Sequence, residues 1–147
     1  TRHPPDTPLE TMAATPLSAI INEKGERSFS KQQNRHLKDV VTSENEVVIS
    51  TGGGTPCYGN TMEFLSRQEE TVTIYLKTSF TVLADRLFTE RLTRPLIAHI
   101  DDKIILMDFI RKHLFERSFY YNQAKLSIDT ENASVERIVD KIVSSLF

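Results

Sequence analysis

The sequence predicts an α/β fold built on a parallel sheet. Short runs rich in β-branched residues, at 46–51, 71–76 and 125–128, alternate with stretches whose apolar residues recur at helical spacing. That alternation is the pattern of βαβ units. A second observation is the run Val47, Val48 and Ile49, which ends in Ser50, Thr51 and the triplet Gly52, Gly53 and Gly54. Glycines at the carboxyl end of a buried strand allow a sharp turn and leave no side chains in the way, and open α/β sheets take their ligands at that end. The third is the C-terminal stretch, where Val135, Ile138, Val139, Ile142, Val143 and Leu146 keep a helical period throughout.

Taken in order, residues 1–8 carry three prolines and no apolar run, which excludes a central strand. Leu17, Ile20 and Ile21 mark a helical piece within 9–22. Thr15 suits its N-cap, Pro16 its first position and Gly25 its stop. A second helix is expected over 28–41, with Phe29, Leu37, Val40 and Val41 as its stripe. The run 46–51 follows as a fully buried strand. Residues 60–68 read as a helix burying Met62, Phe64 and Leu65, and 71–76 as a second strand. Thr78 or Ser79 should cap a helix carrying Phe80, Leu83, Ala84, Leu87 and Phe88 inward. Pro95 then breaks the pattern and disfavours helix at Arg94. A long helix is expected over 103–121, turning Leu106, Phe109, Ile110 and Leu114 inward. A short strand at 125–128 and a final helix capped by Ser134 complete the chain.

At 147 residues this reads as one domain, 1–147, with enough apolar content (39%) for a core and 26% charged residues. A net charge of −2 gives no general reason to expect nucleic acid or an anionic membrane as partner. No apolar run approaches a membrane span, and the polar start is not a signal peptide. Cys57 is the single cysteine, so no internal disulfide forms, and a reducing, cytoplasmic setting is the simpler expectation.

A phosphate-binding loop of the Gly-Lys-Ser/Thr kind has no counterpart here, because none of the five glycines is followed by lysine. His3, His36, His99 and His113 are scattered without ligand spacing, so no metal site is assigned. Cys57 follows the glycines and could line a cleft, but it has no histidine beside it by spacing and reads as a small buried thiol rather than a nucleophile. Arginine is more informative. Arg86, Arg91 and Arg94 gather around the Pro95 loop, and Arg117 lies near the end of the long helix. Guanidinium groups bind carboxylates and phosphates bidentately, so such a loop suits an anion-covering lid. A solvated charged face, with Glu90, Asp101 and Asp102 nearby, is the alternative.

Gly25-Glu26 with Phe29, ISTGGGT at 49–55, RPL at 94–96, ER-x-x-x-Y from Glu116 to Tyr121 and IDT at 128–130 occur in an order and spacing that resemble the shikimate kinases. The resemblance covers the chain from about Asp6 to the C-terminus. It implies a three-layer P-loop kinase fold with five parallel strands in the order 2-3-1-4-5. It also implies transfer of the γ-phosphoryl group of ATP to the 3-hydroxyl of shikimate, with Mg²⁺, in aromatic amino-acid biosynthesis. On this resemblance about 6–41 is the shikimate-binding region and about 90–102 the lid. Gly52, Gly53 and Gly54 contact shikimate, and Arg117 binds its carboxylate. Arg94 reaches the ATP phosphates, and Arg86 falls near an adenine-stacking position. Asp6 matches the second aspartate of a D-x-D that holds the shikimate hydroxyls and is a candidate base.

The chain also departs from the family pattern. Pro4 stands where the metal-side aspartate is expected, Ser30 where a shikimate-binding arginine is, and Gln33 where the glutamate orienting that arginine is. The family's first strand, P-loop and first helix have no counterpart in these residues; that strand would lie between 46–51 and 71–76. The expectation is therefore a chain that is inactive or severely impaired alone. It would be monomeric like the family, unless a partner supplies the missing strand. A non-catalytic relative that acts as a ligand-binding or interaction protein stays open. A nucleoside or gluconate kinase fits the motifs less well.

Overall fold

The computed structural model describes residues 31–43 and 46–147, in a unit that ends at Arg67 and another spanning Gln68–Phe147. In the first, residues 31–41 are helical (α1), with Leu37 buried and Val40 and Val41 half-buried on the expected stripe. The helix expected over 9–22, with Thr15 and Gly25, lies outside the described residues, as does Phe29. The Thr42 and Ser43 hydroxyls close the end of α1 by donating to the carbonyls of Lys38 and Val40 at 2.9 and 2.6 Å. They satisfy acceptors that a helix end leaves unpaired.

The run at 46–51 departs from expectation. Val47 and Val48 are 53% and 83% exposed, and among the described residues the run joins no ladder. β-branched side chains favour extended backbone through local sterics. Burial, however, comes from neighbouring strands and helices, which a run cannot carry within itself. A single 3-10 turn, Thr55–Cys57, follows the glycines with Pro56 in its first positions, and helix α2 spans Thr61–Ser66. α2 buries Met62 and Leu65 as expected, while Phe64 stays half-buried, 5.4 Å beneath the Lys38 ammonium.

The second unit holds a parallel ladder of β1, Ile74–Lys77, and β2, Leu126–Asp129, in the register Ile74 to Leu126 through Lys77 to Asp129. Both strands sit one to three residues later than expected. Helices α3 (Phe80–Glu90) and α4 (Lys103–Tyr121) connect them, and α5 (Val135–Leu146) follows β2. Each of these three helices starts at a side-chain cap. Ser79 Oγ accepts from the Val82 amide, Asp102 Oδ1 from those of Ile104 and Ile105, and Ser134 Oγ from that of Arg137.

Ala84 and Leu106, both with no exposed surface, anchor the core between α3 and α4. Ile110 joins them, and Phe80, Leu83, Leu87, Phe88, Phe109 and Leu114 pack around it, the faces expected from sequence. Ile97 and Ile100 complete it from the Pro95 loop, which therefore tucks apolar side chains inward while Arg94 stays exposed. An ion pair between Lys103 and Asp85 joins the start of α4 to α3. The periodic face of α5 is only partly covered: Ile138 and Ile142 are half-buried, whereas Val135, Val139, Val143 and Leu146 are exposed. Periodicity identifies an apolar face but not what lies against it. Among the described residues no helix is long and apolar enough to cross a membrane.

Candidate functional site

The glycine turn is held from below by a buried amide. Gln33 reaches from α1 with its carboxamide oxygen, which accepts from the Gly52 amide at 3.2 Å and from the Thr55 hydroxyl. Gln33 and Thr55 are 3% and 1% exposed, so both donors meet the acceptor away from water. The turn closes with the Thr55 amide donating to the Gly52 carbonyl and the Cys57 amide to that of Gly54, each at 3.1 Å. One residue along α1, Asn34 donates to the Thr61 hydroxyl, which donates in turn to the Tyr58 carbonyl at 2.7 Å. These four buried polar side chains are all satisfied and all neutral.

Gly54 sits at φ −81°, which any residue adopts, and Gly59 is the only glycine among the described residues with positive φ. The triplet is therefore not required for backbone freedom. Gly53, in the middle of the triplet, is exposed. Cys57 is half-buried where a buried thiol was expected, its Sγ 3.8 Å from the Gly53 carbonyl.

The arginines divide by environment. Arg91 is structural: its guanidinium stacks 4.2 Å over Phe88, one nitrogen donates to the Phe88 carbonyl at 2.8 Å, and its Nε is buried with no hydrogen-bond partner among the described residues. Arg94 stands in the loop after a 3-10 turn, as expected, and donates to the Glu90 carboxylate from Nη2 at 2.8 Å and Nε at 3.3 Å. Both partners are about half-exposed (52% and 55%), so this pair contributes about 0–1 kcal/mol and can be exchanged for another anion. Arg86 is exposed on α3, and Arg117 is half-buried on the last turns of α4. Four residues on, Tyr121 packs its ring 5.2 Å from that of Tyr75 in β1, and partial burial raises the Tyr75 phenol above its ordinary pKa.

Asp6, Pro4 and Ser30 lie outside the described residues. Among the described residues no three His, Cys, Asp or Glu side chains gather as metal ligands. Sequence reasoning treated Gln33 only as a departure and passed over Asn34, Thr55 and Thr61. The signal was available: Gln33 and Asn34 lie four and three residues before Leu37, on the face it buries.

A family model described as shikimate kinase matches residues 5–147. The chain belongs to the shikimate kinase family. The shikimate kinase of Flavobacterium johnsoniae is 36% identical over 141 residues, 96% of this chain and 81% of that one. The crystal structure of the Bacteroides thetaiotaomicron shikimate kinase superposes with a TM-score of 0.80 at 31% identity, covering 97% of this chain and 80% of that one. A shikimate kinase from Acinetobacter baumannii, solved in complex with shikimate, gives a TM-score of 0.82 over 97% of this chain and 75% of that one; at 22% identity it speaks to the fold alone. The α/β fold with a parallel sheet is thus the P-loop kinase fold of this family, and the chain is of the phosphotransferase kind.

Proposed function

We propose that the chain binds shikimate against the Gly52–Gly54 turn and serves the family reaction, ATP + shikimate to ADP + shikimate 3-phosphate. The observation that carries this reading is the family match over 5–147 together with a glycine turn that is braced by a buried amide and exposed at Gly53. In this reading Arg117 pairs with the shikimate carboxylate, where a planar guanidinium gives two parallel hydrogen bonds. Asp6 takes the proton of the 3-hydroxyl as its oxygen bonds to the γ-phosphorus and the bond to the ADP oxygen breaks. Arg94 leaves Glu90 for the phosphate oxygens, an exchange that its weak, exposed ion pair permits. Arg86 serves the adenine side. Mg²⁺, when bound, neutralises phosphate charge.

Phosphoryl transfer draws most of its rate from P-loop amides, the loop lysine and Mg²⁺. Losing a single preorganised donor can cost about 10²–10³ in rate. Residues 1–147 contain no Gly-Lys-Ser/Thr, so turnover by these residues alone is expected to be very low or nil. A second reading, a non-catalytic relative that retains ligand binding, is favoured by Ser30 and the neutral Gln33. The protein is read as cytoplasmic, and as a monomer like the family unless a partner supplies the missing strand.

Calorimetry with shikimate and with ATP separately, beside a coupled kinase assay, tests the proposal. Shikimate binding that weakens about tenfold or more in Arg117→Ala supports it, and silence with both ligands would refute both readings. Turnover near ordinary kinase rates would overturn the expected impairment. In that event Arg94→Ala should lower activity strongly while shifting stability by less than about 1 kcal/mol.

A further inference from the structure

We propose that Gln33 is a positioning residue for the acceptor side of the site, fixing the glycine turn through a neutral two-donor clamp; this rests on the reading that shikimate lies against that turn. The clamp grips the turn at both ends. Gly52 supplies an amide at its start and Thr55 a hydroxyl at its finish, and both converge on one carboxamide oxygen. The two residues between, Gly53 and Gly54, carry no side chain that could hold the turn by packing. Its ends are where buried side chains grip it. Asn34 and Thr61 tie the next turn of chain to the same helix, so α1 is the frame from which the whole segment 52–61 hangs.

The chemistry of the acceptor matters as much as its place. At 3% exposure an ionised carboxylate would need a charged partner to offset its desolvation, whereas a carboxamide presents the same oxygen without that cost. The clamp should thus hold with equal strength across the pH range in which carboxylates and imidazoles titrate. Removing the oxygen leaves two donors facing a site without an acceptor, and the turn relaxes to rehydrate them.

The test is calorimetric titration of the full chain with shikimate, for wild type and for Gln33→Leu, Thr55→Val and Thr55→Ser, with folding checked by circular dichroism. Gln33→Leu and Thr55→Val should each weaken binding about tenfold or more, and Thr55→Ser, which keeps the hydroxyl, should restore it to within about threefold. Unchanged affinity in folded Gln33→Leu or Thr55→Val overturns the proposal, as does a Thr55→Ser variant as weak as Thr55→Val. Should Gln33→Leu fail to fold, the Thr55 pair decides. Should wild type bind no shikimate, the proposed function fails, but the clamp is still read directly by amide hydrogen exchange at Gly52. Exchange about tenfold faster in Thr55→Val than in Thr55→Ser supports it, and equal rates refute it.

Discussion

Replacing Leu106 with alanine tests whether the α3–α4 core holds the second unit together. Leu106 has no exposed surface and sits among Ala84, Ile97, Ile100 and Ile110, all buried. Truncating a fully buried leucine costs about 2.7–5 kcal/mol, the spread reflecting how far the surroundings collapse into the space. Here collapse is poor. Ala84 has no side chain to extend, and three of the neighbours are isoleucines, stiff at χ1. A loss near the upper half, about 4 kcal/mol, follows, against a total stability of about 5–15 kcal/mol for a domain. In thermal melts that is a fall of roughly 15–30 °C for a unit of this size. Urea titration followed by circular dichroism gives the free energy directly. Ile104→Ala is the control: two residues away on the same helix but 71% exposed, it should change stability by no more than about 0.5 kcal/mol. A loss below about 1 kcal/mol for Leu106→Ala, or equal losses at both positions, would refute the placement of the core.

Asp102→Ala removes the oxygen that accepts from the Ile104 and Ile105 amides and should cost about 1 kcal/mol in a urea titration, with Asp102→Asn recovering most of it; an unchanged midpoint would mean water caps α4 equally well. Tyr75→Phe should flatten the alkaline side of the stability profile. Desolvation raises the folded phenol above its ordinary value of 10.0, so its contribution is fully present below pH 10 and is lost as pH climbs through the folded value. Parallel slopes for wild type and Tyr75→Phe in unfolding free energy between about pH 9 and 11 would contradict this.

The helices of the second unit were legible because their signals are local. Ser79 and Ser134 cap where their sequence context says they should, and the α3 and α4 stripes face the core. What escaped was set by distant neighbours. The 46–51 run has the composition of a buried strand yet lies exposed, and Val139 and Val143 share the period of Ile138 and Ile142 but not their burial. In the site, the glycine triplet and the loop arginine were visible as residue types with a recognisable spacing. The clamp beneath the glycines was not, because a buried glutamine resembles a surface one until its partners, 19 and 22 residues away, are known. Ile97 and Ile100 were hidden differently: the proline announced a loop, and loops are not read for core residues.

The four buried neutral residues of the first unit also bear on how single-minded its fold is. Each neutral hydrogen bond among Gln33, Thr55, Asn34 and Thr61 adds about 1 kcal/mol net, little more than water would have given those groups. A neighbouring arrangement of the chain, with the turn slipped by one residue, gains nothing comparable and strands several donors at about 1–3 kcal/mol each. The contribution of the network is therefore mostly a gap between one arrangement and its rivals, and only slightly a lowering of the right one. An all-apolar replacement of the four could melt at the same temperature and still leave the glycines wandering among several shapes.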